Sequence, residues 1–237
     1  MRPLAIVDLG RRPYAPVLEL QRALCRSRAA GEPGDDVLLL VEHEPVVTLG
    51  RAARESSLPL PPAELRRRGL EVFEVERGGD VTWHGPGQLV GYPIIDLRRH
   101  QPDLHWYLRT LEQAVIDALA ALDVPAERNP GLTGVWTRGR GRKIASIGIH
   151  VKQWVTLHGF ALNVTADLSP FELIVPCGIP GVVMTSVAAE RARGDDPERL
   201  WREARARVVE AFGAAFALEP VPAVLAADGT IESERAL

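Results

Sequence analysis

Two runs near the middle of the chain, KIASIGIHV (143–151) and WVTLHGFALNV (154–164), alternate in side-chain character and are separated only by Lys152 and Gln153. Alternation with a period of two on both sides of so short a gap reads as a β-hairpin. Shorter β-type runs precede it: DVLLLVEH (36–43), PVVTLG (45–50), LEVFEVER (70–77) and part of LVGYPIIDL (89–97). Helical patterns fall between and after these runs without a regular strand–helix rhythm. That order predicts an α+β layer fold with a mixed or antiparallel β-sheet, not a doubly wound parallel one.

The helices are marked by their stripes and their starts. PVLELQRALCRSRAAG (16–31) has helical spacing and stops at Gly31, with Cys25 inside it as a small packed hydrophobe. In 103–123, Asp103 is a cap, and Leu104, Leu108, Leu111, Val115 and Leu119 recur at three and four residues. In 196–216, Asp196 caps and Pro197 takes the first helical position, ahead of a stripe of Leu200, Val208, Phe212 and Phe216. At 237 residues the chain is expected to hold one catalytic domain over 1–218 and a weakly ordered tail over 219–237.

Composition excludes several classes of function. A net charge of −3 gives no global field for nucleic acid or a membrane surface. No apolar run reaches the roughly 18 residues of a membrane span, and MRPLAIVDLG meets Asp8 too early for a secretory leader. Two widely spaced cysteines suit a reducing cytoplasm, and no Cys/His cluster has zinc spacing. Of the 28 basic residues only Lys143 and Lys152 are lysines. Arginine stays protonated near neutral pH, so a lysine in this chain either marks a place where a titratable amine is needed or survives by chance, and Lys152 reads as the latter.

Three stretches carry chemistry. RGGDVTWHGPGQLVGY (77–92) joins strand to strand, so its glycines do not form the strand-to-helix turn that holds phosphate in a Rossmann site or a P-loop. It is either a tight structural connection or a backbone built for close approach to a ligand. VPCGIPG (175–181) places Cys177 between Pro176 and Gly178, in a segment with neither helical nor strand pattern. Cys177 is either a buried loop cysteine or a nucleophile with room beside its sulfur, and reactivity requires a nearby cation. The candidate cation is Lys143, which opens a strand and shares a face with Ala145, Ile147 and Ile149. Nothing in the spacing alone brings Lys143 to Cys177.

The first stretch resembles the signature of the lipoyl(octanoyl) transferases, with Arg77, Gly78, Gly79, Thr82, Trp83, His84, Gly87, Gln88, Val90 and Tyr92 at its fixed positions. GRKIASIGIHVKQWVTLHGFALNV and IVPCGIPG resemble that family's second and third blocks, in the same order. The resemblance implies a biotin/lipoate protein ligase-like fold, a mixed sheet flanked by helices with a smaller second sheet. It implies octanoyl or lipoyl transfer from acyl carrier protein to one lysine of a lipoyl-accepting domain, the first step of endogenous protein lipoylation. The acceptors would be 2-oxo acid dehydrogenase complexes and the glycine cleavage H protein, with no cofactor, nucleic acid or membrane involved. Cys177 would carry the acyl group as a thioester and Lys143 would be its partner. Arg77, Gly78, Gly79, Asp80, Val81, Thr82, Trp83, His84, Ser146, Ile147, Gly148, Gly159, Phe160 and Ala161 would bind the substrate. Arg138, Arg140 and Arg142, just before Lys143, are either a solvated charged turn or a docking loop for an acidic carrier. Rival readings are an ATP-dependent lipoate–protein ligase, a cysteine hydrolase using Cys177 and His84, and an acyl-binding module without catalysis.

Overall fold

The structure is a computed structural model and describes residues 1–233. Its first half runs β1 (Arg2–Arg12), α1 (Tyr14–Ala29), β2 (Asp36–His43), β3 (Val46–Leu49), α2 (Pro62–Arg67), β4 (Glu71–Glu74), β5 (Val81–His84), β6 (Gln88–Ile94) and α3 (Leu104–Ala120). The second half runs β7 (Ala126–Glu127), β8 (Val135–Thr137), β9 (Lys143–Lys152), β10 (Val155–Asn163), α4 (Val187–Arg191), α5 (Pro197–Phe216), β11 (Leu218–Leu225) and β12 (Ile231–Ser233). Nine strands form one sheet in the order β12-β11-β1-β2-β6-β10-β9-β8-β7, and β4-β3-β5 form a second. The large sheet is mixed: β1 pairs in parallel with β2 and β11, while β6, β10 and β9 pair antiparallel. This is the α+β architecture that the strand order predicts, with the smaller second sheet that the resemblance implies.

Alternation sends the two faces of the large sheet to different partners. Leu38 and Leu40 of β2 pack with Leu111, Val115 and Leu119 of α3 and Val208, Phe212 and Phe216 of α5. Val37, Leu39 and Val41 turn to the other face and meet Val17, Leu24 and Cys25 of α1. Each such apolar side chain contributes roughly 1.5–3 kcal/mol by leaving water. The helix starts follow the caps: Asp103 accepts from the N–H groups of His105 and Trp106, and Asp196 accepts from that of Arg199. Leu104 departs from its stripe: it is the first residue of α3 and is 48% exposed.

Two expectations need correction. The hairpin turn is at Gln153 and Trp154, one residue later than the alternation predicts. Lys152 pairs with Val155, and both turn residues take left-handed φ values of 50° and 65°. That register points Leu157 toward α1, where a one-residue slip would turn the strand inside out. Residues 219–233 are not a weakly ordered tail. α5 returns the chain so that β11 lies parallel to β1, from Arg2 opposite Leu218 to Val7 opposite Ala223. Pro220 and Pro222 sit two apart, so their missing N–H groups face one edge, and β12 pairs with β11 only from Ala223 onward. Residues 234–237 of the expected tail lie outside the described residues. The N-terminal strand carries no alternation because Leu4, Ala5, Val7 and Leu9 are all buried in a strand covered on both faces.

Candidate active site

The site forms where the small sheet rests on the face of β6, β10 and β9. Cys177 occupies a single 3-10 turn, Pro176–Gly178, and takes left-handed φ and ψ values of 57° and 19°. Such a backbone is strained for a residue with a side chain, and it persists only where its surroundings fix it. The surroundings are visible: the Gly178 N–H donates to Val175 O, and the Val175 N–H donates to Ser57 O at 2.9 Å. A Cβ at Gly178 would lie 2.4 Å from Asp80 Oδ2, so only glycine fits after the cysteine.

Lys143 begins β9 and is 1% exposed. Its Nζ donates to Cys177 Sγ at 3.0 Å and to Thr133 O at 3.2 Å, and lies 4.8 Å from the centre of the Trp136 ring. The chain beyond Cys177 brings the two together. The Lys143 N–H donates to Val183 O and the Thr185 N–H donates to Lys143 O, a short parallel pairing centred on Met184. Ser146 Oγ is 3.7 Å from the sulfur. Strict alternation would put residues three apart on opposite faces, and the irregular β8–β9 register between Lys143 and Ala145 brings both side chains to it.

A cavity of about 200 Å³ opens beside the sulfur. Of the residues expected to bind substrate, Arg77, Gly79, Asp80, Thr82, His84, Ser146, Ile147, Gly148, Gly159, Phe160 and Ala161 line it with Cys177. Gly78, Val81 and Trp83 do not. Strand alternation turns Val81 and Trp83 away from Thr82 and His84, into a separate core with Leu65 and Phe171. Gly78 instead ties the glycine-rich segment to β9, its N–H donating to Ile149 O at 2.8 Å. Ala145, expected to share a strand face with Lys143, instead packs on the opposite face of the sheet from the cavity. Gly148 and Gly159 serve close backbone approach: added Cβ atoms would meet Gly78 O at 2.9 Å and Gly91 O at 2.2 Å.

Sequence reasoning missed Tyr14, Val90, Tyr92, Leu132, Thr133, His158 and Ile179, which also line the cavity. Tyr92 was legible as a fixed position of the signature, and Val90 lies two residues from it on the same face. Tyr14 comes from α1 and carries no local signal. His158 takes a left-handed φ of 59° within β10, where Gln21 Oε1 accepts its N–H.

The far end of the cavity is a buried polar network. Tyr14 stacks on His84, whose Nδ1 bonds Gln88 Oε1 at 2.7 Å, and His43 Nε2 bonds Tyr92 Oη at 2.8 Å. Burial pushes His43 down to about 4 and His84 down to about 3, so both are neutral at pH 7. Burial likewise holds the Tyr92 hydroxyl well above its ordinary range. Arg77 is 7% exposed, and burial lowers its affinity for the proton. Its guanidinium donates to Thr48 O, Thr48 Oγ1 and Gly78 O, all neutral acceptors. Of the expected docking arginines, Arg140 and Arg142 both reach Glu190, at 2.9 and 3.2 Å, and Arg138 lies 3.8 Å from Glu127. Their field is therefore partly neutralised within the protein.

Among the described residues no group of three or more His, Cys, Asp or Glu side chains could hold a metal ion. No helix among them is long and apolar enough to cross a membrane.

The family model described as "Lipoyl protein ligase A/B catalytic domain" matches residues 13–213. The chain is 46% identical to an octanoyltransferase of Chloroflexus aggregans over 225 residues, 94% of this chain and 100% of that one. It is 52% identical to an octanoyltransferase of Geobacter sulfurreducens over 190 residues, 80% of this chain and 77% of that one. Among solved structures, a bipartite lipoate protein ligase of Thermoplasma acidophilum, described with its E2 lipoyl domain, superposes with a TM-score of 0.70 at 15% identity. That match covers 97% of this chain and 89% of the other. A lipoate–protein ligase A bound with ATP superposes with a TM-score of 0.70 at 14% identity, over 96% and 90% of the two chains, a likeness of fold. The chain belongs to the lipoyl protein ligase A/B catalytic domain family.

Proposed function

We propose that this protein is an acyltransferase that moves an octanoyl group from acyl carrier protein to a lysine of a lipoyl-accepting domain, through a thioester on Cys177. The observation that carries the reading is the 3.0 Å contact between Lys143 Nζ and Cys177 Sγ at one end of the cavity. Its dimensions support the substrate class. Ser146, Ala161 and Val90 are register partners across β9, β10 and β6. They span two strand spacings, roughly 10 Å, about the extended length of eight carbons. Each methylene buried along that path contributes about 0.8 kcal/mol.

The mechanism follows from the donors and acceptors present. The Cys177 thiolate attacks the carrier thioester, a C–S bond forms to the enzyme, and the C–S bond to the carrier breaks. The Lys143 ammonium gives a proton to the departing carrier thiolate and is left neutral. The acceptor lysine then loses one proton to Lys143, and its nitrogen attacks the acyl-enzyme. As the C–N bond forms and the C–S bond breaks, one of the two protons left on nitrogen goes to the leaving sulfur and the other stays on the amide. Loss of one proton to solvent restores the thiolate–ammonium pair. A thioester is high enough in energy to form an amide without ATP.

Lys143, not His84, contacts the sulfur, and His84 is engaged with Gln88 and Tyr14. This favours transfer over a hydrolase built on a Cys–His pair. The test supplies the enzyme and a lipoyl domain with either octanoyl-acyl carrier protein or free octanoate plus ATP. Acylation of the lipoyl domain from the carrier alone is expected. Acylation only from free acid and ATP would refute the transferase reading in favour of a ligase.

A further inference from the structure

Asp80 is a carboxylate that the mechanism above leaves unused. It is 7% exposed and lines the same cavity as Cys177. Oδ2 accepts from Ser57 Oγ at 2.8 Å, and Oδ1 accepts from the Val81 N–H at 2.7 Å. Both donors are neutral. Among the described residues no cationic side chain pairs with it. Arg77, the cation whose field it shares, gives its N–H groups to Thr48 and Gly78. Oδ2 also lies against Gly178, the residue that follows the nucleophile. A buried carboxylate bonded only to neutral groups is costly, and the cost falls when a cation is brought to it.

The reaction brings such a cation. The acceptor lysine approaches the acyl-enzyme as an ammonium and must come within bonding reach of the carbonyl on Cys177. We propose that Asp80 receives this ammonium, holding the acceptor nitrogen beside the thioester until Lys143 removes a proton. Asp80 thereby acts in the second half-reaction and not in the first, because the acyl donor brings no cation to be held. The inference rests on the acyl-enzyme reading above. It adds a residue that selects an amine over water as the group that resolves the thioester.

A structural alternative exists on the same residues. The Ser57 carbonyl accepts from the Val175 N–H and the Ser57 hydroxyl donates to Asp80, so this residue also links the Cys177 turn to the small sheet. The two roles separate by variant and by half-reaction. Asp80→Asn keeps shape and removes charge, its oxygen still accepting from the Val81 N–H and its amide nitrogen donating to Ser57 Oγ. Ser57→Ala removes only the hydroxyl's bond to Asp80 and keeps the charge and the backbone bond to Val175. Both half-reactions are followed by intact mass in single turnover: acylation of Cys177 by octanoyl-acyl carrier protein, then loss of the acyl group to added lipoyl domain.

For Asp80→Asn, acylation is the reference step against which transfer is read. Its transfer to the lipoyl domain should be slowed about 10–100-fold, the loss of one charge-assisted contact of 1.5–3 kcal/mol. Ser57→Ala is expected to remain within about threefold in both steps. Equal slowing of both steps by Asp80→Asn, matching slowing by Ser57→Ala, or transfer by Asp80→Asn at the normal rate would each overturn the assignment. Failure of the unaltered protein to acylate at all would instead remove the acyl-enzyme reading on which it rests.

Discussion

Replacing Lys143 with arginine is expected to lower octanoyl transfer by about 10²–10⁴-fold, the usual effect of removing a positioned proton donor and acceptor. Arginine keeps the positive charge beside Cys177 but does not release its proton near neutral pH. The variant therefore separates two functions that the lysine combines. Alkylation of Cys177 by iodoacetamide, which reports the thiolate, should persist, while steady-state transfer to a lipoyl domain should collapse. Lys143 is fully buried against Trp136 and Gly134, so the melting temperature must be compared in parallel. Turnover near that of the unaltered enzyme would refute proton exchange at this position.

Acid should destabilise the fold well above the pH at which carboxylates titrate. His43 and His84 are held neutral by burial, with folded values of about 4 and about 3 against an unfolded value near 6.5. Both shifts are downward. As the pH falls below 6.5 the unfolded chain gains protons that the folded chain refuses, so stability declines. Each group costs about 1.4 kcal/mol per pH unit below its unfolded value, or about 2 kcal/mol at pH 5. Together they remove about 4 kcal/mol between pH 7.5 and pH 5, a large part of a typical domain's stability. Urea unfolding at the two pH values measures it. A midpoint that stays constant from pH 7.5 to pH 5 would show that the two rings are not buried neutral beneath the cavity.

What the sequence reveals depends on whether a contact is local. The stripe ending in Phe212 and Phe216 and the cap at Asp196 are local, and the helix they predict runs over Pro197–Phe216 as observed. The hairpin is local too, and it fails by a single residue because Gln153 and Trp154 are not the residues usually found at left-handed positions. The glycine-rich block is legible as a unit, but only strand alternation divides it into Thr82 and His84 on the cavity and Val81 and Trp83 in the core. The approach of Lys143 to Cys177 is not local. It depends on Val183 and Thr185 pairing with the backbone of Lys143, in a stretch too short to show any period. Tyr14 likewise reaches the cavity only because α1 lies across β10, and β11 is hidden by two prolines that an edge strand tolerates.

The pairing of Lys143 with Cys177 has a chemical consequence that can be weighed. The protein is mixed with octanoyl-acyl carrier protein, without acceptor, and its intact mass is recorded. One octanoyl group should be added, located on the peptide containing Cys177, absent from Cys177→Ala and discharged by a lipoyl domain. Octanoyl transfer that proceeds in Cys177→Ala, or an adduct on any other residue that the acceptor discharges, would contradict the account.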